Sequence, residues 1–310
     1  MRYQDLIRKS WQLTQEHHYL NIWGILMALF TLLVGVLRLR YFFTDPAITV
    51  MTIWEYIQGN FENPVFVMII VEGTWLSIYL FSFIVSNLSD GALIASIAKI
   101  ESQQVRLSFT KSLALGLHSL LRVIEYNMVT SLFKISHLIV YILLIRFQLK
   151  IYMDGWDFWG ENYIWLIPIL IFVAILSLFM TYGEYDLIIH KRGVFKSIRN
   201  SINLVIFHLS ETLLMTTLLL LITIRTILNI VLIFVVPALV ASLISYLSIN
   251  ISMALAIGVG STVALIIFWF SVKISGALHI FTTALWTMTY LDLDSRKDHK
   301  ILATEKDEHE

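Results

Sequence analysis

The residues of this chain that could do chemistry are charged side chains in long apolar stretches. A charge at the centre of a bilayer costs roughly 2.5–3.5 kcal/mol on insertion scales, so such residues are candidates for function. One hypothesis is an internal polar cavity where Glu72 pairs with Arg225 or Lys134 and binds an ion or a lipid headgroup. The alternative is a set of structural ion pairs, with one lysine reaching the interface. The candidates are Glu72, Lys134, Arg225, Lys273, Glu125 and Glu211.

A second set of candidates comes from a repeated sequence frame. Each of the three Lys-Ser dipeptides has an apolar residue two positions before the lysine and another directly after the serine. This spacing places both apolar residues on one face of a helix and the lysine on the other. In the headgroup layer, such a helix buries its apolar face while the lysine meets anionic phosphate. The alternative is simple anchoring. The candidate headgroup contacts are Lys9, Lys111, Lys196 and Trp11.

Other kinds of site have little support in the sequence. The chain has no cysteine, and its nine histidines show no metal-ligand spacing on one helix. Hydrolase and nucleotide-binding motifs are missing. Only Asp90 and the Asp292-x-Asp294 pair resemble a metal-dependent lipid phosphotransfer motif, and one short pair of this kind is weak support for catalysis. The sequence therefore predicts no metal, no cofactor and no enzymatic activity.

The composition indicates a membrane protein. Of 310 residues, 58% are hydrophobic and 14% are charged, whereas a soluble domain has about 25% charged residues. The formal net charge is zero, so the charge balance does not favour nucleic acid as a partner. No cleavable signal peptide is evident, and we interpret the first apolar run as a membrane span.

Six stretches approach or exceed the length of about 20 apolar residues that a bilayer-spanning helix needs. They predict an all-α, polytopic integral membrane protein with three helical hairpins. Each hairpin follows one of the amphipathic interfacial helices that carry the Lys-Ser frames. The run 238–247 is too short for a seventh span. The predicted spans are roughly 20–37, 64–85, 126–147, 163–182, 210–236 and 254–278.

The distribution of lysine and arginine predicts the orientation. These residues concentrate near the N-terminus, in the connections 86–122 and 183–207, and in the C-terminal tail. Because cytoplasmic loops carry an excess of Lys and Arg, both termini are expected in the cytoplasm, with the plasma membrane as the location. The tail 295–310 is almost wholly polar, which is typical of a disordered segment.

The frames also divide a single membrane domain, 1–294, into pseudo-repeats of about 1–100, 101–192 and 193–294. Each repeat contains an interfacial helix, a span, an outer loop and a second span. The polar ends of the second spans are similar to one another, and we refer to them as exit segments. They are Asp90-Gly91-Ala92-Leu93, Gly183-Glu184-Tyr185-Asp186-Leu187 and Ser275-Gly276-Ala277-Leu278.

Several of these motifs resemble those of the glycerophosphoryl diester phosphodiesterase membrane domain family. In fused members of that family a separate soluble domain performs catalysis, and this chain has no room for one. The resemblance therefore implies a stand-alone membrane module without enzymatic activity. The motifs are Ser10-Trp11-Gln12-Leu13-Thr14, Gly193-Val194-Phe195-Lys196-Ser197-Ile198 with Ser201, and Tyr290-Leu291-Asp292-Leu293-Asp294-Ser295-Arg296.

Three classes of function fit the sequence. The leading hypothesis is a non-catalytic membrane module that handles lipids or supports a membrane assembly. The first alternative is a transporter or permease subunit for a small amphiphile. The second is a membrane-embedded lipid enzyme that uses the carboxylates of Asp90, Asp292 and Asp294. The expected partners are membrane lipids and either another membrane protein or a second copy of the chain.

Overall fold

The computed structural model describes residues 3–43, 55–103, 107–131, 133, 158–221, 224 and 253–307, and every regular element within them is helical. The predicted all-α class is confirmed. A short helix covers residues 55–60. The longer helices are α1 (Tyr3–Glu16), α2 (His18–Phe43), α3 (Pro64–Gln103), α4 (Phe109–Ser131), α5 (Phe158–Phe179), α6 (Gly183–Ile189), α7 (Val194–Phe207), α8 (Leu209–Leu221) and α9 (Met253–Asp307).

Three helical segments are long and apolar enough to cross a membrane: Pro64–Gln103, Ile167–Ile189 and Leu265–Arg296. Helices α7 and α8 form a fourth if the pair, bent by 99°, is one broken span. The described part of the chain thus supports an integral membrane protein with three to four candidate spans. Most of the predicted spans 126–147 and 210–236 lies outside the described residues, so the count of six stays a prediction.

Local sequence signals explain where α3 begins. Asn63 precedes the helix, and its side-chain oxygen accepts a hydrogen bond of 3.3 Å from the Phe66 main-chain N–H. Pro64 occupies the first helical position, where its missing N–H has no cost. The helix then runs for 40 residues. Its first half has the composition of a span, and its second half enters the packed part of the molecule.

The ends of the three predicted pseudo-repeats pack on the helices that open the next one. The end of the first repeat, in α3, packs on α4, which opens the second repeat. The end of the second, α6, packs on α7, which opens the third. The last helix, α9, packs on α1, which opens the first. Each exit segment therefore lies in a helix that packs against an interfacial helix.

Small residues spaced four apart form the inner face of each interfacial helix. The serine of every Lys-Ser frame is fully buried, and the residue four positions later is buried too. Pairs of small residues with this spacing allow helix backbones to approach closely. The frame thus marks a helix with its serine facing the protein. The pairs are Ser10 with Thr14, Ser112 with Gly116, and Ser197 with Ser201.

Glycines of the exit segments lie at close helix contacts. A Cβ atom on Gly276 would lie 2.8 Å from the main-chain carbon of Gly24 in α2. On Gly91 it would lie 2.5 Å from the Ser119 hydroxyl, and on Gly183 it would lie 2.5 Å from the Tyr126 hydroxyl. The shared glycine of the exit segments is therefore a packing feature.

Helix α9 continues to Asp307. It extends into the segment from Ser295 onward, for which the sequence predicts disorder.

Candidate functional site

Helix α7 separates a packed inner face from an exposed outer face. The inner face includes the buried Val194, Ser197 and Ser201. On the outer face the Phe195 side chain is 78% exposed and Phe207 is 71% exposed. Lys196 and Arg199 are exposed between these two rings. The outer face of α7, formed by these four residues, therefore combines aromatic and basic groups.

Hydrogen bonds fix the rotation of α7 about its axis. The Ser201 hydroxyl donates to the Phe179 carbonyl at 2.7 Å and accepts from the Tyr182 main-chain N–H at 3.0 Å. The Phe179 carbonyl lies at the end of α5, where carbonyls lack partners within the helix, and Tyr182 lies in the turn directly before α6. Because Ser201 is tied inward, the outer face must point away from the protein.

The three frame lysines have different environments. Lys9 forms an ion pair of 2.6 Å with Glu101 at the end of α3. Lys111 and Lys196 are exposed and have no ion pair among the described residues. Trp11 is 47% exposed, with its ring 5.8 Å from Phe281 in an edge contact. Lys111 and Lys196 can reach a headgroup directly, whereas the partly exposed Lys9 is engaged by Glu101.

A buried aspartate joins three elements near this face. Asp186 in α6 is fully buried, and its Oδ1 accepts three hydrogen bonds. The donors are Arg192 at 2.8 Å, Asn200 of α7 at 2.8 Å and the Tyr290 hydroxyl of α9 at 2.7 Å. Buried carboxylates are costly unless they are paired and hydrogen-bonded. This Asp186 cluster satisfies that requirement and connects α6, α7 and α9.

His190 extends the cluster towards the surface. Its Nδ1 lies 3.3 Å from Asp186 Oδ1 and 2.9 Å from the Tyr290 hydroxyl, and its Nε2 lies 3.4 Å from Asp294 Oδ2. The hydrogen bond to Asp186 raises the pKa of His190 above its usual value, and the charge of Asp294 adds to this effect.

The Asp186 cluster was not predicted from the sequence. The spacing of four residues between Asp186 and His190 was a local signal that these two side chains are in contact. The contribution of Tyr290, which lies 104 residues after Asp186, could not be inferred.

The aspartates of the lipid-enzyme alternative lie in separate ion pairs. Asp90 Oδ1 is 3.0 Å from His279 Nε2, and Asp292 is 2.6 Å from Arg296. Asp294 contacts His190, as described above. Within the described ranges, no three His, Asp or Glu side chains converge on a metal-sized site.

Two candidates of the predicted intramembrane set lie on outward surfaces. Glu72 on α3 is exposed. Lys273 on α9 is exposed, with its Nζ 5.3 Å from the centre of the Trp269 ring. No ion pair joins these two side chains in the described part of the chain. Lys134 and Arg225 lie outside the described residues, so the pairing with Glu72 stays a prediction.

The other two candidates occupy different environments. Glu125 on α4 is exposed. Glu211 on α8 is partly buried, accepts a hydrogen bond of 2.8 Å from Ser210 and lies 3.9 Å from His208 Nδ1. The two glutamates therefore differ in exposure and in their hydrogen-bond partners.

Comparison with protein-family models, with curated proteins and with solved structures found no match. The resemblance to the glycerophosphoryl diester phosphodiesterase membrane domain family stays a prediction based on short motifs.

Proposed function

We propose that this chain is a non-catalytic membrane module that holds anionic lipid headgroups through its interfacial helices. In this proposal it has six spans in three hairpins, lies in the plasma membrane and has both termini in the cytoplasm. The observation that carries the proposal is the outer face of α7. There, two exposed phenylalanines flank exposed Lys196 and Arg199 on a helix whose opposite face is fixed to the protein.

This combination suits the boundary between headgroups and acyl chains. Aromatic rings gain by leaving water, and each basic residue near an anionic surface contributes about 1 kcal/mol. Helix α4 repeats the arrangement with exposed Lys111 and with Leu117, which is also exposed. The orientation of the Lys-Ser frame therefore gives two of the three interfacial helices a basic surface for lipid.

The positions of the other charges support this function over transport. Of the charged candidates that would line a transport path, Glu72, Lys273 and Glu125 are exposed, and Glu211 is partly buried beside Ser210 and His208. Their positions give no polar route through the described helices.

Lipid retention in native mass spectrometry tests the proposal. The protein is released from bilayers of phosphatidylglycerol and phosphatidylcholine with identical acyl chains. Reversing both charges of the outer face of α7, with Lys196→Glu and Arg199→Glu, should reduce the preference for phosphatidylglycerol by roughly thirtyfold, since about 1 kcal/mol is lost at each of the two residues.

The control is the paired exchange Lys9→Glu with Glu101→Lys. It retains the ion pair between α1 and α3 and the net charge, so it should leave lipid preference unchanged. An undiminished preference for phosphatidylglycerol after reversal of Lys196 and Arg199 would overturn the proposed role.

A further inference from the structure

A cleft with both apolar and polar lining residues lies where the end of α4 meets the turn between α5 and α6. Its volume is about 150 Å³, and it is partly open to the surface. A single water needs only roughly 10–15 Å³ on the same measure. The cleft can hold a small headgroup but not a whole phospholipid. It lies at the cytoplasmic ends of the predicted third and fourth spans, where headgroups meet acyl chains.

Three hydroxyl groups of the cleft already donate their hydrogens to main-chain oxygens. The Tyr126 hydroxyl donates to the Met180 carbonyl at 2.6 Å, and the Thr130 hydroxyl donates to the Tyr126 carbonyl at 2.9 Å. The Thr181 hydroxyl donates to the Ser177 carbonyl at 3.2 Å. A hydroxyl that has donated its hydrogen retains only acceptor lone pairs. These side chains therefore offer acceptors to a ligand.

Two further lining residues narrow the choice of ligand. Glu184 adds a carboxylate, which accepts hydrogen bonds and carries negative charge, and Phe133 adds an aromatic ring. A cation near aromatic rings gains further attraction. The complement of this lining is a small cation with several N–H donors.

We propose that this cleft binds a primary ammonium group, as carried by the headgroup of an ethanolamine phospholipid. The inference rests on the proposed lipid-handling role and adds a second headgroup chemistry at a different place. Anionic phosphate meets the outer face of α7, and the ammonium group enters the cleft. Free ethanolamine has the same chemistry, so the experiment must distinguish the two sources.

The test compares phosphatidylethanolamine with phosphatidylcholine of identical acyl chains in native mass spectrometry. Phosphatidylcholine keeps the positive charge but lacks N–H donors. The wild type should retain the ethanolamine lipid preferentially, and Glu184→Gln should reduce that preference at least about tenfold, because a charge-assisted hydrogen bond is lost. Glu125→Gln is the matched control, since Glu125 is exposed on α4 and does not line the cleft.

A second variant, Thr181→Val, keeps the shape of the side chain and removes one acceptor, and it should also reduce the preference. Calorimetric titration with free ethanolamine forms the second arm. Tight, Glu184-dependent binding of ethanolamine without a lipid preference would support the ammonium site and assign it to a soluble amine.

If Glu184→Gln and Thr181→Val both fold and neither changes retention of lipid or binding of ethanolamine, the cleft proposal is overturned. The role of the α7 outer face is judged separately, by its preference for phosphatidylglycerol.

Discussion

Asp186 shows how a single residue can fix the arrangement of several helices. Its Oδ1 is bonded to Arg192, Asn200 and Tyr290, which belong to a loop, α7 and α9. The buried Ser197 hydroxyl also interacts with the Asp186 carboxylate. Ser197 is the serine of the third Lys-Ser frame, so the frame and the cluster meet on the inner side of α7.

His190 makes the stability of this cluster depend on pH. The groups that face it are Asp186, Asp294, Tyr290 and, more weakly, the cation of Arg192. Because Asp186 raises the pKa of His190 in the folded state, protonation favours folding. The stabilisation is complete below the unfolded value of about 6.5 and is lost as the pH rises through the raised pKa.

We therefore expect the melting temperature in detergent to fall as the pH rises above about 6.5. The variant His190→Asn should flatten this dependence. The control is His118→Asn, since His118 is exposed on α4 and should leave the slope unchanged. An equal slope in the wild type and in His190→Asn would contradict the assignment.

At the level of elements, helices approach one another closely at glycines, where an added Cβ atom would collide with the neighbouring helix. In Gly276→Ala the added Cβ would meet the main chain of Gly24 at 2.8 Å, so α2 and α9 would have to separate. Overpacking of this kind costs about 1–3 kcal/mol. The free energy of unfolding in mixed micelles should fall by that amount.

Gly73→Ala supplies the matched control on α3. Nothing lies within 4 Å of a Cβ atom at Gly73. Alanine favours a helix over glycine by about 0.5–1 kcal/mol, so this variant should be stabilised. A similar effect of both substitutions would show that α2 and α9 do not pack at Gly276.

Part of this architecture could be predicted from the sequence because it depends on local patterns. Apolar length predicted the helices of several candidate spans, and the frame spacing predicted that each Lys-Ser dipeptide lies in a helix. The frame did not reveal that the serine is the most deeply packed position, since serine is small and its burial depends on a neighbouring helix. The contacts of Asp186 with Tyr290 and of Lys9 with Glu101 join distant segments. A single sequence carries no distance information for such pairs.

For the whole molecule, the predicted topology places the loop before α7 in the cytoplasm and the loop between the third and fourth spans outside. The chain has no cysteine, so labelling of a single introduced cysteine shows on which side of the membrane that residue lies. A thiol at Lys191→Cys, where the side chain is exposed, should react with a membrane-impermeant maleimide only after cells are opened. A thiol at Asp157→Cys should react in intact cells.

The two positions together test whether the chain crosses the membrane between residues 157 and 191. Lys191 follows the candidate span Ile167–Ile189, so one crossing must separate it from residue 157. Labelling of both thiols from the same side would contradict that crossing. Labelling of Lys191→Cys from outside, with Asp157→Cys protected, would invert the orientation. That orientation would place the basic outer face of α7 at the external leaflet, away from the anionic lipids of the cytoplasmic leaflet.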